Sequence, residues 1–192
     1  MRMAFVIAAA VCSLTGPFDA APDGEAQGIA RVGERPQAKV VVWFDAPPSA
    51  PDPVAHPRPV LDQRNLSFSP QVLAVRVGTT VDFPNNDRVF HNVFSFRDGK
   101  RFDLGVYPVG ARKQVQFDRP GVSRLFCNIH PNMAAYVVAV DTPYFSVSDD
   151  DGRFTVPLPA GTYTYHAWRA GAAELTGSVS IRGATSLDIR WP

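Results

Sequence analysis

Residues 122–140 read VSRLFCNIHPNMAAYVVAV. Between the β-rich runs VSRLFC (122–127) and AAYVVAV (134–140) lies the string Cys127-Asn128-Ile129-His130-Pro131-Asn132-Met133, a C-x2-H-x2-M loop. Runs rich in Val, Tyr and Phe, bounded by Gly, Pro and Asn, are strand signals. Cys127 therefore stands where a strand ends, and the loop sits at one end of a β-layered body. With four His and three Met in 192 residues, composition alone would put a His at +3 and a Met at +6 from this Cys about once in three thousand cases.

Further out, the apolar period is mostly two. Val81 and Phe83 alternate with Thr80 and Asp82, and Val115 and Phe117 with Gln114 and Gln116. Other β-rich runs cover 40–44, 72–77 and 89–96. Turn signals divide them at Gly78-Thr79, Pro84-Asn85-Asn86-Asp87, Asp98-Gly99, Pro120-Gly121 and Asp151-Gly152. No segment has a convincing helical period. Many short strands with such turns predict an all-β chain built from sandwiches.

Organisation follows from composition. Residues 46–59, APPSAPDPVAHPRP, carry six prolines and read as a linker. The stretch SDDDGRFTVPLPAGTYTYHAW (148–168) reads as a hairpin with an Asp-Gly turn, followed by a Pro-Ala-Gly turn and a further strand. At the N-terminus Arg2 precedes the apolar run MAFVIAAAVCSL, the pattern of a secretory signal over residues 1–21. The expected units are thus a signal (1–21), N-terminal strands (28–50), a central domain (60–141) and a C-terminal β-segment (142–192). Export, most simply to a periplasm, is expected. No later apolar run approaches the roughly 20 residues that span a bilayer. A net charge of +1 with no Lys/Arg run gives no reason to expect a nucleic-acid partner.

The cysteine count sharpens the chemistry. Only Cys12 and Cys127 exist, and removal of a signal takes Cys12 with it. A single thiol in an oxidising compartment needs burial, an intermolecular partner or a metal. A second imidazole, His91, begins another strand. Thiolate and thioether are soft ligands that favour Cu(I), and imidazole serves both copper states. Three ligands from one short loop and one from a separate strand make such a site part of the fold. The other histidines attract blander readings: His56 is a solvated linker residue, and His166, in TYTYHAW, is a satisfied or surface residue. Asp149-Asp150-Asp151-Gly152 lacks the alternating ligands and final Glu of a calcium loop and reads as a turn.

Residues 60–141 resemble a cupredoxin of the plastocyanin/amicyanin type. The likeness rests on CNIHPNM, whose short loop is closest to amicyanin, and on VGTTVDFPNNDRVFHNVF (77–94), which fits Gly-x-x-Val-x-Phe-x-Asn-x-Asp before the first copper His. The resemblance implies a Greek-key sandwich holding one copper ion, with His91, Cys127 and His130 equatorial and Met133 axial. It also implies that Asn92 ties the two ligand-bearing loops together. The flanks, GIARVGERPQAKVVVWFDAP (28–47) and DDDGRFTVPLPAGTYTYHAW, resemble a carboxypeptidase regulatory-like domain, a second small sandwich split around the first.

The expected function is one-electron transfer by Cu(I)/Cu(II) with an exported redox partner such as a cytochrome c or a dehydrogenase. Four protein ligands leave no open position for substrate, so no enzyme is expected. Two alternatives use the same residues: a copper- or zinc-binding or delivery protein, and a surface-docking module with an auxiliary copper site.

Overall fold

The computed structural model describes residues 23–46, 58–96 and 98–192. The readings that concern the N-terminal signal, Cys12, His56 and most of the proline linker fall outside the described residues. The described chain is all-β. First come β1 (Gly24–Val32), β2 (Arg35–Pro36) and β3 (Val41–Phe44). The central stretch supplies β4 (Asp62–Arg64), β5 (Ser67–Ser69), β6 (Val72–Arg76), β7 (Thr80–Pro84), β8 (His91–Ser95), β9 (Phe102–Tyr107), β10 (Arg112–Gln116), β11 (Gly121–Phe126) and β12 (Ala134–Val140). The last strands are β13 (Phe145–Val147), β14 (Arg153–Leu158), β15 (Gly161–Trp168), β16 (Leu175–Ile181) and β17 (Ala184–Trp191).

The central strands form one sandwich. Its larger sheet runs β6-β12-β11-β8-β9, and β7-β10 and β4-β5 lie opposite, bridged at Val60–Asp82 and Gln63–Asn85. Between them Leu61, Phe68, Val81, Phe83, Val93, Phe117, Leu125 and Val137 are buried. The alternation of Val81 and Phe83, and of Val115 and Phe117, points these side chains inward.

A second sandwich joins the two ends of the described chain. β1 pairs with β14 antiparallel and with β17 in parallel, while β13-β3-β15-β16 make the facing sheet. Ala26, Val42, Phe44, Phe154, Leu158, Ile181 and Ile189 fill the space between.

The two bodies share a seam of Val41, Val72, Val138 and Val140, with Trp43, Tyr136, Phe145 and Trp168 packed around it. The seam explains why two runs fail to alternate. In β12, Ala135, Val137 and Ala139 face the central core, while Tyr136, Val138 and Val140 face the seam. In β3, Val42 and Phe44 face one core, and Val41 and Trp43 the seam. A strand covered on both faces is apolar throughout.

One local expectation is corrected. The Asp-Gly turn after β13 does not close a hairpin ladder, because β13 pairs with β3 and β14 with β1. The turn carries the chain from one sheet to the other. Asp149 Oδ1 accepts the amides of Asp151 and Arg153, and Gly152 holds φ 74°. A Cβ on Gly152 would lie 2.6 Å from the Ala30 carbonyl oxygen, so glycine allows the crossing to press against β1. Asp-Gly chemistry shapes a tight turn of either kind; strand pairing decides which one forms.

Candidate metal centre

His91 opens β8, opposite Tyr107 of β9, and is fully buried. Cys127 is the first residue past β11 and is 4% exposed. His130 lies in the turn that follows, half-buried, and Met133 precedes β12 at 1% exposure. The Met133 amide donates to the His130 carbonyl at 2.9 Å, which tightens the loop. Met133 shares the central core with Cys127.

Three ligand atoms converge. His91 Nδ1 lies 3.9 Å and His130 Nδ1 3.8 Å from Cys127 Sγ, and the two ring nitrogens are 3.1 Å apart. A triangle with these sides has a circumradius of about 2.1 Å, close to the 2.0–2.3 Å bonds of a first-row metal to nitrogen and sulfur. One ion can therefore reach all three atoms together, and these three residues can hold a metal. Soft sulfur with two imidazole nitrogens suits copper, and zinc also accepts this donor set.

The surrounding hydrogen bonds aim these atoms. His91 Nε2 meets Asp87 Oδ2 at 2.9 Å. An Nε2–H donated to that carboxylate leaves the Nδ1 lone pair facing Cys127 and His130. The Asp87 carboxyl is held at about 2, first by the amide of Leu66, 2.7 Å from Oδ2, and further by His91 and the Arg88 amide. The backbone amide of Asn92 points at Cys127 Sγ at 3.5 Å. Its side-chain oxygen accepts the Asn128 amide at 3.4 Å, and its Nδ2 donates to Asp103 at 2.7 Å. Asn92 thus spans from β8 to the loop that carries His130.

Asp103, Leu66 and Gln63 were not singled out from the sequence, and Asp87 stood there only as the last residue of a turn and of the pattern before His91, with no role given to its carboxylate. Asp87 stands four residues before His91, within a turn where no periodicity marks it. Gln63 is fully buried; its Nε2 donates to the Pro84 carbonyl and bonds the Tyr107 hydroxyl. Burial pushes Tyr107 up to about 12. Its raised value favours the neutral phenol in the fold, so the stabilisation is complete below pH 10 and fades as pH climbs to 12. The loss is expected to be on the order of 3 kcal/mol. Urea unfolding across this window should show that slope in the native chain and a shallower one in Tyr107→Phe. Equal slopes would place the phenol in water.

The remaining candidates lie apart from the centre. His166 stacks on Trp43 with ring centroids 5.0 Å apart and bonds Glu174 and Asp45 through its two nitrogens. It is a satisfied side chain of the second sandwich. The Asp149 carboxylate is engaged in its own turn, as described above.

No family model matches the chain, and no curated protein matches it. No helix among the described residues is long and apolar enough to cross a membrane. Among solved structures, the chain is similar to a purple cupredoxin from Nitrosopumilus maritimus, at 28% identity over 43% of this chain and 99% of that one, with a TM-score of 0.40. It is similar to a copper-containing nitrite reductase from Thermus scotoductus, at 26% identity over 50% of this chain, with a TM-score of 0.43. There it spans only 26% of the reductase. It is also similar to an amicyanin variant in the reduced Cu(I) form, at 23% identity over 52% of this chain and 98% of that one, with a TM-score of 0.41.

Proposed function

We propose that this chain is an exported type 1 copper protein that carries single electrons between redox partners. The observation behind the reading is the triangle of His91 Nδ1, Cys127 Sγ and His130 Nδ1, with an equidistant point about 2.1 Å from each atom, at metal–ligand bond length. Copper bound there supplies a reversible one-electron change between Cu(II) and Cu(I). The protein's part is to keep the ligand atoms where both states accept them. Asp87 holds the His91 ring, the Asn92 amide faces the sulfur, and the Asn92 side chain ties the two loops together. Met133, buried in the same core as Cys127, would be the axial ligand in this reading.

Electrons enter and leave at His130, the one ligand residue of the three that is only half-buried. Ile129 on the same loop and Phe90 beside His91 are exposed and apolar, which suits brief docking of a redox protein such as a cytochrome c or a dehydrogenase. Each transfer takes one electron in from the donor and passes one out to the acceptor. The filled ligand set leaves no position for a substrate, so no reaction is assigned to the metal. The signal over residues 1–21 directs the chain to the periplasm. The flanking strands form a regulatory-like sandwich packed along a seam against the domain that holds the centre.

Titrating Cu(II) into the metal-free protein tests this reading. Expected are an intense visible thiolate-to-copper band at one equivalent and its bleaching by one electron. A colourless complex would sink the electron-carrier reading and favour zinc binding or copper delivery by the same ligands.

A further inference from the structure

Between Arg64 and Ser67 the β4–β5 hairpin turns through two residues only, Asn65 and Leu66, both left-handed with φ 52° and 55°. Such a turn favours Asn-Gly, and a leucine in this conformation is strained. The Leu66 side chain is 52% exposed, so core packing does not explain the strain. Its amide points to Asp87 Oδ2, the same oxygen that meets His91 Nε2.

Three more hydrogen bonds fasten the hairpin to the segment before His91. Asn86 Nδ2 donates to Asp62 Oδ1 at 2.9 Å, the Asn86 amide to the Gln63 carbonyl at 3.0 Å, and Gln63 Nε2 to the Pro84 carbonyl at 3.0 Å. From the other side Asn85, fully buried, donates to the carbonyls of Val89 and Tyr107. The hairpin adds no strand to the five-stranded sheet; Phe68 packs in the central core, while the hydrogen bonds of Asp62, Gln63 and Leu66 tie the hairpin to the turn that bears Asp87.

We propose that the β4–β5 hairpin is a positioning element of the metal centre, in which the Leu66 amide fixes Asp87 and Asp87 fixes the His91 ring with Nδ1 toward Cys127 and His130. This deepens the metal-centre reading and rests on it. The hairpin's hydrogen bonds end on Asp87 and the turn around it, one step short of the His91 ring. The hairpin acts by occupying one lone pair of Asp87 Oδ2, so that the carboxylate can neither rotate away from Nε2 nor turn to solvent. Coupling between two sites is reciprocal, so filling the centre must in turn steady the Leu66 amide.

Three measurements on the full chain test it. In the metal-free protein, nitrogen NMR of His91 should show one tautomer, protonated at Nε2. Replacing the residue-66 amide by an ester, with leucic acid introduced during translation, removes one N–H and should yield a tautomer mixture. The same protein should bind Co(II) about tenfold more weakly, as for a lost hydrogen bond to a charged group. Asp87→Asn should show the mixed tautomer and a loss of about 10–100-fold. In the unaltered protein, Co(II) should slow hydrogen exchange at the Leu66 amide, a result that depends on no variant folding.

A single unchanged His91 tautomer in both altered proteins, or Leu66 exchange indifferent to Co(II), overturns the positioning role. Failure of the metal-centre reading looks different: Co(II) does not bind the unaltered protein, while the tautomer measurement still reports on the hairpin.

Discussion

Cys127→Ser is expected to abolish the intense visible band of the copper-loaded protein. The hydroxyl occupies nearly the same space as the thiol, so the central sandwich should fold with strand β11 intact. What is lost is the soft thiolate, the donor whose charge transfer to copper gives the colour and which favours Cu(I). Affinity for Cu(I) should fall by more than the roughly 10–100-fold seen when partners outside the ligand shell are changed. Spectra and competitive Cu(I) titration of the purified variant measure both effects. Retention of the band in the serine variant would remove Cys127 from the site and with it the proposed chemistry.

Val138→Asp should be the most damaging change away from the metal. Val138 is 2% exposed and lies in the seam with Val41, Val72 and Val140. A carboxylate there is desolvated among apolar side chains and must either stay charged without a partner or take up a proton. Stability should drop by about 4 kcal/mol. Because β12 carries the central core on its other face, damage at the seam should also disturb the strand that follows Met133. Urea unfolding, with copper binding followed in parallel, checks both statements. A loss under about 1 kcal/mol would mean that water already reaches the seam.

The metal centre was more legible in the sequence than its supports. Spacing alone singled out Cys127, His130 and Met133, because one loop holds all three. His91 came from its strand and the string before it. Structure adds that Cys127, His130 and His91 meet at bonding distance of one point. Asp87 was in the string before His91, but its bond to the His91 ring was not read, because it depends on how a turn folds back onto β8. The β4–β5 hairpin escaped because DQRNLSFS is polar and has a leucine where glycine would have announced the turn.

The all-β class was legible from period-two runs, while β3 and β12 were read only as β-rich runs. Their unbroken apolar character is the trace of two buried faces. The Asp-Gly turn misled because its local chemistry is the same for a hairpin and for a crossing between sheets. Pairing of β1 with β17 had no local trace at all.

That last pairing governs how the chain can assemble. Glu25 lies beside Ala184, about 160 residues along, and closing so large a loop costs entropy before any contact repays it. Trp43 and Phe145 are partners across about 100 residues that include the whole central body. A nascent chain is therefore expected to gain most by collapsing the central sandwich first, which shortens the span the flanks must bridge. The outer strands then zip up last, as the slow step of maturation.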